Sequence, residues 1–126
     1  MKVLQIVESA YRGTLEEQDD TIVWLTHCLQ AAGAEQSVLL KDNAVNYVLT
    51  GEDSSGLSFG RWQQTHPPQI ASQIAALISK NVSVNVVYED LEARGLVDVA
   101  RVAGVNLVAR RNLPQLLEEH DQVWHW

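Results

Sequence analysis

The sequence predicts an α/β fold: a mainly parallel sheet with helices on both faces. Three observations carry that reading. Short apolar runs rich in β-branched residues alternate with segments of helical period almost from end to end. Glycines and prolines stand at the joints. Successive strand-like runs are mostly separated by a helix-like one, the crossover that parallel strands require.

Lys2–Glu8 reads as a buried first strand. Ile22, Leu25, Leu29 and Ala32 recur at helical spacing, and Gly33 ends that helix. Ser37–Lys41 is the second strand, after which Asp42 is placed to cap a short helix carrying Val45, Val48 and Leu49. Glu52–His66 is polar and shows no period. Pro67-Pro68 suits a helix start, and Ile70, Ile74, Leu77 and Ile78 form its apolar stripe. Val82–Tyr88 is the third strand, and Glu89–Arg94 a short helix closed by Gly95, with a turn or helix through Val97–Val102. Val105–Ala109, Leu113–Glu119 and Asp121–Trp126 complete the pattern as strand, helix and fifth strand.

At 126 residues, the chain fits one domain, 1–126, with a core of its own. No apolar run approaches the ~18 residues of a membrane span. The start, Met1-Lys2-Val3-Leu4, enters a strand pattern without signal-peptide regions, and the single cysteine, Cys28, suits a reducing compartment; a cytoplasmic protein is expected. Sixteen acidic residues against nine basic ones give a net charge of −7. Nucleic-acid binders neutralise phosphates with a basic face, and Arg101, Arg110 and Arg111 are too sparse a cluster for that.

In parallel sheets ligands gather at the carboxyl ends of strands, here Glu8–Arg12, Lys41–Asn43, Tyr88–Asp90 and Arg110–Asn112. The loop after the first strand has one glycine, Gly13, and runs into Glu16, Glu17, Asp19 and Asp20, which argues against a nucleotide or flavin cofactor. Arg12 remains a candidate for a smaller anion. His27, His66, His120 and His125 lack ligand spacing, so no metal is expected, and no nucleophile-elbow motif occurs.

The segment Val86-Val87-Tyr88-Glu89-Asp90-Leu91-Glu92-Ala93-Arg94-Gly95-Leu96 resembles the DsrE/DsrF/DsrH family of sulfur-relay proteins, closest to its DsrH (TusB) branch. Ser37–Val45 resembles the family's second strand and the entry to its short helix. Asp121–Trp126 resembles its terminal strand, and Glu8–Gly13 is more like the DsrE branch. The resemblance covers most of the chain apart from Glu52–His66. It implies a three-layer α/β/α sandwich with five strands and a homo-oligomer, or a hetero-oligomer with DsrE/DsrF-like or TusA-like proteins. It also implies handling of protein-bound persulfide in sulfur oxidation or tRNA thiolation. The DsrE branch carries its persulfide on a cysteine near the end of strand three. Here that place reads Val87-Tyr88-Glu89-Asp90, with no sulfur, so the DsrE-type site is not available. DsrH-type members lack the cysteine too, which points to a non-catalytic partner or accessory role.

Cys28 is the remaining catalytic candidate, as a persulfide acceptor. It lies at the edge of the Leu25/Leu29/Ala32 stripe, in the last turns of its helix, where the dipole opposes a thiolate. A packed, structural cysteine is the favoured reading. For Tyr88, Glu89, Asp90 and Arg94 two readings stand: helix capping with Gly95 as terminator, or a strand-end cleft facing a partner, with Arg12 and Asp42 nearby. Phe59 and Trp62 are assigned to an interface or a lid over that cleft, and Trp124 and Trp126 to core packing or a subunit contact.

Overall fold

The computed structural model describes residues 1–11 and 20–126. Five strands, β1 (Lys2–Val7), β2 (Glu35–Leu40), β5 (Ser83–Val87), β6 (Asn106–Val108) and β7 (Gln122–His125), form a sheet in the order β6-β5-β2-β1-β7, parallel throughout. A separate ribbon pairs β3 (Ser58–Phe59) with β4 (Trp62–Gln63). The helices are α1 (Thr21–Ala31), α2 (Ile70–Ser79), α3 (Tyr88–Ala93) and α4 (Leu113–Glu118), with 3-10 turns at Asp42–Val48 and Arg110–Asn112.

Strand alternation divides the core. Val38, Leu40, Val84 and Val86 point to the face covered by α1, α2, α3 and the first 3-10 helix, where Ile22, Val45, Tyr47, Ile74, Leu77 and Leu91 meet them. Leu4, Ile6, Leu39 and Val87 point to the other face, where α4 supplies Leu113 and Leu116. The sandwich therefore has three layers, one thick and one thin.

Several local expectations change. The second strand begins two residues earlier than its apolar run, because Glu35 and Gln36 pair in register with Lys2 and Val3. Gln36 is buried: its side-chain amide donates to the Thr26 carbonyl at 2.6 Å and accepts from Gln5 at 3.3 Å. A buried polar pair satisfied in this way leaves no apolar signature. The helix expected from Pro67-Pro68 starts at Ile70 instead. The Pro68 carbonyl is taken by the Ser54 N–H, and Asp53 caps the helix from a distance through the Ser72 N–H at 3.1 Å and the Ser72 hydroxyl. Tyr88 opens α3 rather than closing a strand. Val97–Val102 takes the turn of the two forms expected, with the Val99 N–H on the Leu96 carbonyl at 3.2 Å and an isolated bridge between Leu49 and Arg101. The aperiodic stretch contains the β3–β4 hairpin, whose turn puts Gly60 at φ +59°, the first central position that glycine fills in II′ turns.

Candidate strand-end site

Parallel strands bring their carboxyl ends to one edge, and the residues that follow them meet there. Glu8 follows β1, Lys41 and Asp42 follow β2, Tyr88–Asp90 follow β5, Arg110 follows β6, and His125 ends β7.

Asp90 is the centre of the half over β2, β5 and β6. It is 3% exposed, yet its carboxylate accepts the Asp42 N–H at 2.8 Å and pairs with the Arg110 guanidinium. Glu89 accepts the Arg110 N–H at 2.8 Å. Arg94 donates to the Asp90 carbonyl at 3.2 Å and to the Asn43 side chain at 2.9 Å. No side chain caps the start of α3, and Asp42 does not cap the 3-10 helix it opens, whereas Gly95, at φ +67°, ends α3 as its place in the sequence predicts. The Glu89 and Asp90 carboxylates reach across to other strand ends instead. Asp42 is held at φ +48°, a left-handed conformation that a non-glycine residue keeps only where its surroundings impose it. The bond from its N–H to buried Asp90 is such an imposition. The resulting surface offers exposed arginine heads over a fixed base.

The other half lies over β1 and β7. Glu8 stands 2.7 Å from the His125 ring and 3.8 Å from the Lys41 ammonium. Hydrogen bonding with Asp42 and then with His125, together with the Lys41 charge, holds the Glu8 carboxyl below its ordinary range. Sequence reasoning places Arg110 only at a strand end where ligands gather and His125 only among histidines without ligand spacing. The signal was topological: both directly follow or end a strand that the resemblance already required.

A polar and aromatic cluster borders this edge. Tyr47, fully buried, donates from its hydroxyl to the buried Asp20 carboxylate at 2.5 Å and receives the Tyr11 N–H. Asp20 also caps α1 through the N–H groups of Ile22 and Val23. The Tyr11 hydroxyl donates to Glu52 at 2.7 Å, and burial, then the Glu52 hydrogen bond and charge, push its pKa up to about 12. Arg12, the candidate anion contact, lies outside the described residues.

Cys28 does not belong to this site and is not packed as its helical position suggested. It is exposed on α1. The face that α1 buries is Ile22, Val23 and Thr26; Leu25 and Leu29 are only half-buried and Ala32 is exposed, so the stripe read from leucine spacing is rotated from the true one. Phe59 and Trp62 are 70% and 73% exposed, Trp124 is half-buried, and Trp126 donates its indole N–H to Gln5 at 2.9 Å. A cavity of about 290 Å³ lies at the opposite edge of the sheet, between Gln30, Gly33, Lys80 and Asn81. It shares no residue with the strand-end cluster, and Glu35 and Lys80 are the charged residues among its lining. Among the described residues no three His, Cys, Asp or Glu side chains converge to hold a metal ion, and no helix is long and apolar enough to cross a membrane.

The order and direction of the strands, with α4 alone on one face among the described residues, can be compared with solved structures. The YchN protein of E. coli superposes with a TM-score of 0.74 over 99% of this chain and 98% of YchN, at 19% sequence identity. This chain has the YchN fold. That fold is the DsrE/DsrF-like three-layer sandwich, as the resemblance implied. No protein-family model matches the sequence, and no curated protein matches it.

Proposed function

We propose that this chain is a non-catalytic, DsrH/TusB-like subunit or accessory protein of a cytoplasmic sulfur-transfer system, of the kind that serves sulfur oxidation or tRNA thiolation. One observation carries the reading. On a DsrE/DsrF-like fold, the end of β5 reads Val87-Tyr88-Glu89-Asp90, and those residues are built into a tied, charged surface without sulfur. A surface whose groups hold one another has a fixed shape before a partner arrives, which reduces the ordering cost of association. Arg110 and Arg94, with Tyr88, Glu89, Asp90 and Asp42 beneath and beside them, are the contact residues in this reading. The partner is a cysteine-bearing DsrE/DsrF-like or TusA-like protein, whose persulfide is presented to this edge rather than passed to it.

Co-purification tests the reading. The wild-type chain is expected to retain such a partner, reduced or persulfidated, and Arg110→Glu to weaken retention at least tenfold. Failure of every cysteine-bearing partner to bind in either state overturns the proposal.

The exposure of Cys28 supports a second reading, a sulfurtransferase that accepts persulfide at that thiol. Its signature is one added sulfur on the wild-type chain after incubation with a persulfide donor, absent in Cys28→Ser.

A further inference from the structure

The helices α1 and α2 precede neighbouring strands, β2 and β5, so both end at the same edge of the sheet, opposite the strand-end cluster. They end alike. At α1 the Ala34 N–H reaches the Leu29 carbonyl and the Gly33 N–H reaches that of Gln30. At α2 the Val82 N–H reaches the Leu77 carbonyl and the Asn81 N–H reaches that of Ile78. Each pair is the bonding of a Schellman motif, which turns the chain through one left-handed residue. That residue is Gly33 at φ +91° after α1, and Asn81 at φ +63° after α2. Glycine is the usual occupant, so Asn81 adds a carboxamide where the turn needs no side chain. Among the described residues nothing engages that carboxamide.

The cavity of about 290 Å³ lies between these two helix ends. Gln30 ties them together, donating its side-chain N–H to the Lys80 carbonyl at 3.3 Å, which leaves its amide oxygen as an acceptor. Glu35 is the acidic residue of the lining. Lys2 lies opposite it in the register of β1 and β2, yet no ion pair joins them. Lys80, the basic residue of the lining, turns its ammonium to the His27 ring, 3.4 Å from Nδ1. Ala34 and Val82 supply apolar wall, and a Cβ added at Gly33 meets nothing within 4 Å.

The end of a helix carries roughly half an elementary negative charge at its carbonyls. Two such ends side by side, with Glu35 and two amide oxygens, favour a positively charged group that donates hydrogen bonds. The net charge of −7 adds a long-range attraction of the same sign. The volume stands at the small end of ligand clefts, roughly 300 Å³, which suits a short-chain molecule.

We propose that this cleft binds a small organic cation, a primary ammonium or guanidinium on a short aliphatic stem. The charged nitrogen donates to Glu35 and to the amide oxygens of Gln30 and Asn81, and the stem lies along Ala34 and Val82. A free amine and a lysine or arginine side chain of another protein share this chemistry. The site stands apart from the sulfur-relay reading, which concerns the opposite edge.

Titration of the full chain with n-butylguanidinium, followed by amide proton–nitrogen NMR, tests it. Saturable shifts are expected at Gly33, Ala34, Asn81 and Val82, and n-butyrate, similar in stem and opposite in charge, is expected to leave them unmoved. Asn81→Gly keeps the left-handed turn and removes the carboxamide; it is expected to weaken binding at least threefold with unchanged far-UV circular dichroism. Glu35→Gln is expected to weaken it at least fivefold, whereas Glu118→Gln, the same charge change on α4, has no effect. Affinity for N-acetyl-arginine amide equal to that for butylguanidinium supports a protein side chain as the natural source, and a tenfold weaker affinity supports a free molecule. No saturable shift at tens of millimolar, an equal response to butyrate, or wild-type affinity in folded Asn81→Gly and Glu35→Gln overturns the proposal.

Discussion

Asp90 and Cys28 sit in opposite circumstances. Asp90 is a charge buried to 3% exposure, engaged by groups from two other strand ends; Cys28 is a thiol on the outside of a helix. A buried carboxylate persists only when it is paired and hydrogen-bonded, so its geometry is fixed by the fold. An exposed helical thiol has no such constraint, and among the described residues no three His, Cys, Asp or Glu side chains converge on it. The tied polar groups of this chain therefore lie at the strand-end edge, away from its single cysteine.

The comparison breaks most readily at Asp90. Asp90→Ala strands the Asp42 N–H and the Arg110 guanidinium, and is expected to destabilise the fold by about 2–3 kcal/mol in urea unfolding. That is below the ~3–5 kcal/mol for removing one partner of a fully buried pair, since the Arg110 side chain is 60% exposed. Asp90→Asn keeps an acceptor for the Asp42 N–H and recovers part of the loss. Tyr47→Phe is the next largest effect, about 1.5–2 kcal/mol, because its hydroxyl is the donor to the buried Asp20 carboxylate. A cost under about 0.5 kcal/mol for either alanine at 90 or phenylalanine at 47 contradicts the tied edge described above.

Alkaline titration sharpens the same border. The Tyr11 phenol is held protonated in the fold, with its pKa raised from 10.0 to about 12. The stabilisation it supplies is complete below pH ~10 and is lost as pH rises through ~10 to ~12. Ultraviolet absorbance should show a late-titrating phenol that is lost in Tyr11→Phe, and Glu52→Gln should move its midpoint downward. The smallest effect belongs to Cys28→Ser, which is expected to change stability by less than about 0.5 kcal/mol. A core thiol would report a much larger loss.

How far the sequence reveals these regions differs for the same physical reasons. The five sheet strands and the helices that bury apolar stripes, such as Ile70, Ile74 and Leu77 of α2, follow from periodicity because burial repeats with the element's period. Gln5 and Gln36 break the pattern by being buried as a hydrogen-bonded pair, and the face of α1 is misjudged because Thr26 is buried by returning its hydroxyl to the Ile22 carbonyl at 2.7 Å. Leucine spacing then suggests the wrong stripe and a packed Cys28. The strand-end residues Asp42, Glu89, Asp90 and Arg94 are found by topology and by resemblance, yet their connections are not, because Asp42 and Asp90 are 48 residues apart and each has a plausible local role as a cap. The hairpin was legible in principle from Phe59-Gly60-Arg61-Trp62, a two-residue turn led by glycine between aromatics. Its strands are only two residues long, too short for any alternation to show.

In the proposed role this chain assists sulfur transfer at its strand-end edge and accepts no persulfide sulfur itself. Intact-mass measurement of the chain, mixed with a persulfidated cysteine-bearing partner, tests that most directly. The predicted result is an unmodified chain whose partner keeps its persulfide. An added sulfur on the wild-type chain, lost in Cys28→Ser, overturns that role and transfers the function to the thiol on α1.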